Sequence, residues 1–148
     1  MTSPLDVLLA RLEKTVPAGW DLGLDRMQRL LARLGDPHRR LPPPIHVAGT
    51  NGKGSTTALL RAILEASGKT VHVFTSPHLV RFAERIRVAG RLADDDVLAA
   101  AIERAVEANA GDPITFFELA TVAAFLLFAE TPADVTLLEV GLGGRLDA

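Results

Sequence analysis

The chain has 148 residues, 48% of them hydrophobic and 23% charged, with a formal net charge of -2 and no cysteine. That length suits one domain, able to bury about 68–70% of its unfolded surface, and the composition is that of an ordinary globular protein. Disulfides and cysteine metal sites are excluded, and the near-neutral charge gives no reason to expect a nucleic-acid or membrane partner.

Ser3-Pro4-Leu5-Asp6 is a helix start, with serine as N-cap, proline at the first position and an acid in the first turn. Leu5, Leu8, Leu9 and Leu12 share one face, and Pro17-Ala18-Gly19 ends the element. A second helix is predicted from Leu24 to Leu34, with Met27, Leu30, Leu31 and Leu34 on its buried stripe and Gly35-Asp36-Pro37 as its stop. Leu41-Pro42-Pro43-Pro44 is a stiff connector that can hold no regular element. Residues 1–44 therefore read as a helical segment ahead of the main module.

Ile45 to Ala48 is the first predicted core strand, followed by a glycine-rich turn. The next helix is expected to carry Ala58, Leu59, Ala62, Ile63 and Ala66 inward and to close at Gly68. Val71-His72-Val73-Phe74 is the second strand, and Ile86-Arg87-Val88 a short one ended by Ala89-Gly90. Asp94 or Asp95 caps a helix with Val97, Leu98, Ala101, Ile102 and Ala105 on its face, stopped by Gly111-Asp112-Pro113. Thr115-x-x-Glu118 is a capping box for an apolar, buried helix ending near Glu130. Its apolar run, Leu119 to Ala129, is far short of the ~20 residues that span a bilayer. Asp134 to Val140 is a third strand, apolar enough to be buried on both faces. Strands alternating with helices predict an α/β fold, a parallel sheet flanked by helices on both sides.

The strongest chemical signal is His46-Val47-Ala48-Gly49-Thr50-Asn51-Gly52-Lys53-Gly54-Ser55. An apolar strand runs into a glycine-rich turn with one lysine, and a helix opens straight after it. Glycines let backbone N–H groups approach phosphate oxygens, the helix N-terminus adds a positive dipole, and lysine adds a point charge. The spacing departs from G-x-x-x-x-G-K-[ST]: Val47 stands at the first glycine's place, and Gly54 separates Lys53 from Ser55. The bland alternative is a tight strand-to-helix connection. Lysine and serine at the helix mouth favour a nucleoside triphosphate.

Glu139 lies near the end of the third strand, before Gly141-Leu142-Gly143-Gly144. A buried acid is costly unless paired or bound to a cation, and strand C-termini in a parallel sheet line the ligand crevice. Glu139 is thus placed like the acid that holds Mg²⁺ on nucleotide phosphates. The alternative is a carboxylate capping the glycine loop or paired with Arg145. Thr75-Ser76-Pro77-His78 follows the second strand and should reach the same crevice; Ser76 can join a magnesium shell or serve a turn. Glu118 is explained by its capping box, and His46 and His72 read as satisfied sheet histidines.

Together, Gly49-Thr50-Asn51-Gly52-Lys53-Gly54-Ser55, Thr75-Ser76-Pro77-His78-Leu79 with Glu84-Arg85-Ile86, Thr115-Phe116-Phe117-Glu118 and Glu139 to Ala148 resemble the folylpolyglutamate synthase/dihydrofolate synthase family of the Mur-ligase superfamily. The resemblance implies an ATP-dependent ligase with a P-loop NTPase-like core. ATP phosphorylates a carboxylate of dihydropteroate or folate, the amine of L-glutamate attacks the acyl phosphate, and an amide forms as phosphate leaves. It further implies that Thr50, Asn51, Gly52, Lys53, Gly54 and Ser55 hold ATP, and that Ser76 and Glu139 hold Mg²⁺. Lys53 and Glu139 become the catalytic residues. By the same resemblance, the pterin contacts are Leu22, Gly23 and Leu24, with Ser76 and His78 in the covering loop. Thr115, Phe116 and Phe117 touch the pterin end, where Phe117 could stack, and Leu146, Asp147 and Ala148 close the site.

On that resemblance residues 45–148 form an ATP-binding domain truncated at its C-terminal side, the C-terminal ligase domain is absent, and the chain alone is inactive. The parent enzyme is expected to be monomeric and cytoplasmic, without nucleic-acid or membrane partners. Three rivals remain. A different P-loop class, a small GTPase or kinase, is the first, and the lack of an Asn-Lys-x-Asp guanine signature disfavours the GTPase. A nucleotide-binding module without chemistry and a Mur-type ligase for cell-wall precursors are the others.

Overall fold

The first helix is closed reciprocally: the Asp6 amide donates to Ser3 Oγ at 3.2 Å, and the Ser3 amide donates to Asp6 Oδ2 at 3.0 Å. It opens a computed structural model that describes residues 3–15, 23–76, 81–141, 143, 144 and 147. The helices are α1 (Pro4–Thr15), α2 (Asp25–Arg33), α3 (Lys53–Ala66), α4 (Asp95–Asn109) and α5 (Phe116–Glu130). The strands are β1 (Pro44–Val47), β2 (Val71–Phe74), β3 (Ile86–Val88), β4 (Arg91–Leu92) and β5 (Val135–Glu139). Short 3₁₀ turns cover Pro37–Arg40 and Phe82–Arg85.

The strand order is β1-β5-β2-β3-β4. β5 runs parallel to both β1 and β2, while β3 and β4 add an antiparallel hairpin at one edge. The parallel core is thus as expected, but the sheet is mixed, and β4 was not legible as a strand. Alternation along the strands divides the interior. Val71, Val73 and Leu137 face α3 and its Leu60 and Leu64. Phe74 and Ile86 face the larger core, where Leu5, Leu8, Leu12, Met27, Leu30 and Leu31 from α1 and α2 meet Leu98, Ile102, Leu119 and Phe128 from α4 and α5. Among the described residues no helix is long and apolar enough to cross a membrane.

Several expectations are corrected. Pro44 opens β1 rather than ending a structureless connector, because a strand's first residue can lack its N–H donor. β1 is not a core strand here: Pro44, Ile45 and His46 are exposed at the sheet edge, and only Val47 is buried. His46 is therefore no satisfied sheet histidine. His72 is one: its Nδ1 accepts from the Ala89 amide and its Nε2 donates to the Thr131 carbonyl, both at 2.9 Å. It also stacks on Phe128 with centroids 4.8 Å apart, and burial pushes its pKa below the ordinary value. On α4, Val97 is exposed, while Leu98, Ala101, Ile102 and Ala105 are buried as expected.

The stripe assigned to α3 is the wrong one. Leu59 and Ile63 are each 65% exposed, and Ala58, Ala62 and Ala66 also face outward. Thr57, Leu60 and Leu64 face the sheet instead. Apolar residues ring the helix on both sides, so periodicity alone could not choose; the strand-to-helix turn sets the rotation. Leu59→Ala should accordingly leave stability within about 0.5 kcal/mol, against about 2–5 kcal/mol for the fully buried Leu30→Ala. Thermal unfolding of the two variants checks the assignment.

Candidate nucleotide and metal site

β5 lies between β1 and β2, so the loops after all three strands open at one end of the sheet. β1 delivers Gly49 to Ser55, β2 delivers Thr75 and Ser76, and β5 ends on Glu139. The turn after β1 requires glycine twice, with φ of 149° at Gly49 and 76° at Gly52. Gly52 is the N-cap of α3, and no side chain caps the helix. The first-turn N–H groups are therefore available to an anion. Lys53 arches back over the turn and donates from Nζ to the Gly49 carbonyl at 2.8 Å. Thr50, Asn51, Gly52, Gly54 and Ser55 are exposed around it. Donors and one cation converge on an open concavity, as phosphate binding demands.

Glu139 pairs in register with Val47, the last residue of β1. It is only 8% exposed, yet no hydrogen bond or ion pair holds its carboxylate among the described residues. Its Oε1 lies 3.6 Å from where a Cβ at Gly54 would stand, so the acid abuts the cradle. The loop-capping alternative goes to another residue: the Gly141 amide donates to Asp147 Oδ2 at 2.8 Å. Arg145, the other alternative partner, lies outside the described residues.

Ser76 has a buried hydroxyl with no hydrogen-bond partner among the described residues. An orphaned hydroxyl and an unpaired buried carboxylate beside an anion cradle are hard oxygen donors, and that is the donor set Mg²⁺ prefers. Among the described residues no group of three histidines, cysteines or acids could cage a metal. Two protein oxygens suit an ion that keeps its remaining positions for water and phosphate. The residues fit the metal.

Gly141 is the meeting point that sequence reasoning missed. A Cβ there would stand 2.8 Å from Ser76 Oγ, 3.5 Å from Asp147 Oδ2 and 3.5 Å from Phe117 Cζ. Two segments far away in sequence and the glycine's own loop therefore gather around Gly141. Phe117 lies tilted against Phe74 with centroids 6.0 Å apart, and the Arg85 guanidinium sits 5.8 Å from its centroid. Arg85 belongs to a motif that the sequence singled out without giving this residue a role; burial lowers its pKa. Phe116 packs edge-on against Phe82 at 5.3 Å, and it and Phe117 are both partly buried against the larger core. Thr115 spends its hydroxyl accepting from the Glu118 amide at 3.1 Å.

Leu24, Glu139 and Asp147 line a cavity of about 270 Å³ together with Phe74, Thr121 and Phe125. Gly23 directly precedes Leu24, the residue that leads into α2. Leu22, His78, Leu146 and Ala148 lie outside the described residues.

Fold and site define a P-loop-like α/β domain, with a glycine-rich turn and two hard oxygen donors gathered at one end of the sheet. No family model matches the chain. Individual proteins do. The Dihydrofolate synthase/folylpolyglutamate synthase of Escherichia coli K12 is 44% identical over 146 residues, which cover 99% of this chain and 34% of that protein. The structure of E. coli FolC in complex with DHPP and ADP superimposes with a TM-score of 0.91 at 44% identity, covering 99% of this chain and 35% of that one. A bifunctional folylpolyglutamate synthase/dihydrofolate synthase with Mn, AMPPNP and L-glutamate bound gives 0.89 at 41%, covering 99% and 35%. The chain belongs to the folylpolyglutamate synthase/dihydrofolate synthase family and spans about a third of the length of these relatives.

Proposed function

We propose that this chain supplies the nucleotide cradle and the pterin-facing wall of an ATP-dependent ligase that joins L-glutamate to dihydropteroate or a folate. The observation that carries the reading is the unpaired, buried Glu139 beside Gly54, with the orphaned Ser76 hydroxyl delivered by the neighbouring strand. Two relatives of the same fold were solved with ADP and DHPP, or with Mn, AMPPNP and L-glutamate, which supports this assignment of ligands.

A free carboxylate is a poor acyl donor, so a phosphoryl group must first convert it to an acyl phosphate. That transfer needs positioning and charge neutralisation more than a protein nucleophile. Lys53 and the α3 N-terminal amides hold the phosphates in place, and Ser55 adds a hydroxyl. Glu139 and Ser76 would hold Mg²⁺, which supplies charge neutralisation on the phosphates. The Phe117 ring, beside Gly141 and Asp147, offers a flat surface for a pterin, and Asp147 Oδ1 remains for its N–H edge. The amine of glutamate then attacks the acyl carbon, and phosphate departs as the amide forms.

In the full-length ligase, phosphate release from ATP should require both dihydropteroate (or a folate) and L-glutamate. ATP turnover indifferent to both would overturn the substrate class. Glu139→Gln should keep the fold and move the Mg²⁺ dependence to higher concentration. A Mg²⁺ titration identical to wild type would take Glu139 out of the metal site.

A further inference from the structure

Glu118 does more than close its helix. Its Oε2 accepts from the Thr115 amide at 2.7 Å, completing the capping box. The same carboxylate also takes a two-pronged bond from Arg26 on α2: Nε to Oε2 and Nη2 to Oε1, both at 3.1 Å. Glu118 is 3% exposed, and the Arg26 side chain is largely covered. The two residues are 92 apart in sequence.

Arg26 is the top rung of a ladder on one side of α2. Arg29 donates to the Pro113 carbonyl at 3.1 Å and pairs with Asp112 at 3.3 Å. Arg33 donates to the carbonyls of Ala108 and Asn109 and pairs with Asp112 at 2.7 Å. Residues 26, 29 and 33 recur at helical spacing, so one side of α2 grips the whole connection from the end of α4 to the start of α5. The lower rungs end on carbonyls and on the half-exposed Asp112. Only Arg26 reaches a buried carboxylate, and its position is special. It follows Gly23 and Leu24 on one side, while Glu118 follows Thr115, Phe116 and Phe117 on the other. Arg26 thereby ties the segment that enters α2, where Leu24 lines the cavity, to the opening turn of α5, whose Thr121 and Phe125 line the same cavity further along.

We propose that Arg26 is a positioning residue: through Glu118 it holds Gly23-Leu24 and Thr115 to Phe117 as one unit, setting the width of the pterin slot. This rests on the substrate class proposed above. A planar guanidinium on a carboxylate fixes both distance and angle, which a single ammonium contact does not. A flat ring bound between two such segments is sensitive to that spacing.

Two measurements test it. Amide hydrogen exchange on this chain needs no ligand: Arg26→Gln should speed exchange at Gly23-Leu24 and at Thr115 to Phe117 together. Arg33→Gln, which cuts the lower staple, should speed it only around 108–112. In the full-length ligase, Arg26→Gln should raise the KM for dihydropteroate about tenfold or more while the KM for ATP stays within about twofold. Arg26→Lys, the conservative variant, should recover part of that loss, and Arg33→Gln should move neither KM. Exchange in the two segments that responds separately, or an unchanged KM for dihydropteroate, would overturn the positioning role. Equal losses for ATP and dihydropteroate would reduce Arg26 to general stability and overturn it as well. Coupled exchange in an enzyme whose turnover ignores dihydropteroate would instead sink the substrate class and leave the clamp standing.

Discussion

Lys53→Ala is expected to weaken Mg·ATP binding about 10- to 100-fold while the chain stays folded, because hydrogen bonds to charged groups are the strong ones. Lys53 is the first residue of α3, where alanine is a good helix former. The structure gives its ammonium one bond, to the Gly49 carbonyl at 2.8 Å, at the accessible lip of the turn. Little folding energy rests on that contact. What is lost is a positive charge at the mouth of α3, whose N-terminus no side chain caps, and that charge matters chiefly when an anion is present. Calorimetry with the wild-type and variant chains reads the difference directly, and circular dichroism checks the fold. Unchanged affinity would remove Lys53 from the phosphate site.

Gly141→Ala is expected to have the next largest effect, through sterics alone. The backbone there is not in the left-handed region, so alanine carries no φ penalty. Its Cβ would stand 2.8 Å from Ser76 Oγ, closer than real contacts allow. Phe117 and Asp147, each at 3.5 Å, close the other directions. Ser76 must give way, so the hydroxyl proposed as a metal ligand leaves its place. Overpacking of this kind costs about 1–3 kcal/mol, and the Mg²⁺ requirement should rise with it. Gly144→Ala is the control, since nothing among the described residues stands within 4 Å of its added Cβ. Equal behaviour of the two variants in thermal melts and Mg²⁺ titrations would contradict the convergence on Gly141.

Much of this was legible in the chain itself. The Ser3 cap, the Thr115–Glu118 box, the second strand and the buried stripe of α2 all came from local chemistry that tertiary packing did not override. The glycine-rich turn with Lys53 was legible because the backbone angles at Gly49 and Gly52 belong to glycine. α3 was misread because both of its sides are apolar, and the choice between them depends on how the cradle turn aims the helix. Glu118 was read correctly and incompletely. A capping box is a local pattern, whereas its partner Arg26 is 92 residues away and only the packing of α2 on α5 brings them together. Gly141 was hidden for the same reason: a glycine after a strand reads as a turn, and nothing local shows that Ser76 and Phe117, from two distant segments, press against it.

The central claim is that the turn after β1, Ser76 and Glu139 form one nucleotide and metal site. Calorimetric titration of ATP into the folded chain, with and without Mg²⁺, tests it most directly. The account predicts ATP binding that Mg²⁺ strengthens in the wild-type chain, with that strengthening lost in Glu139→Gln. No binding of Mg·ATP by a chain that circular dichroism shows to be folded, or binding indifferent to Mg²⁺, would contradict it.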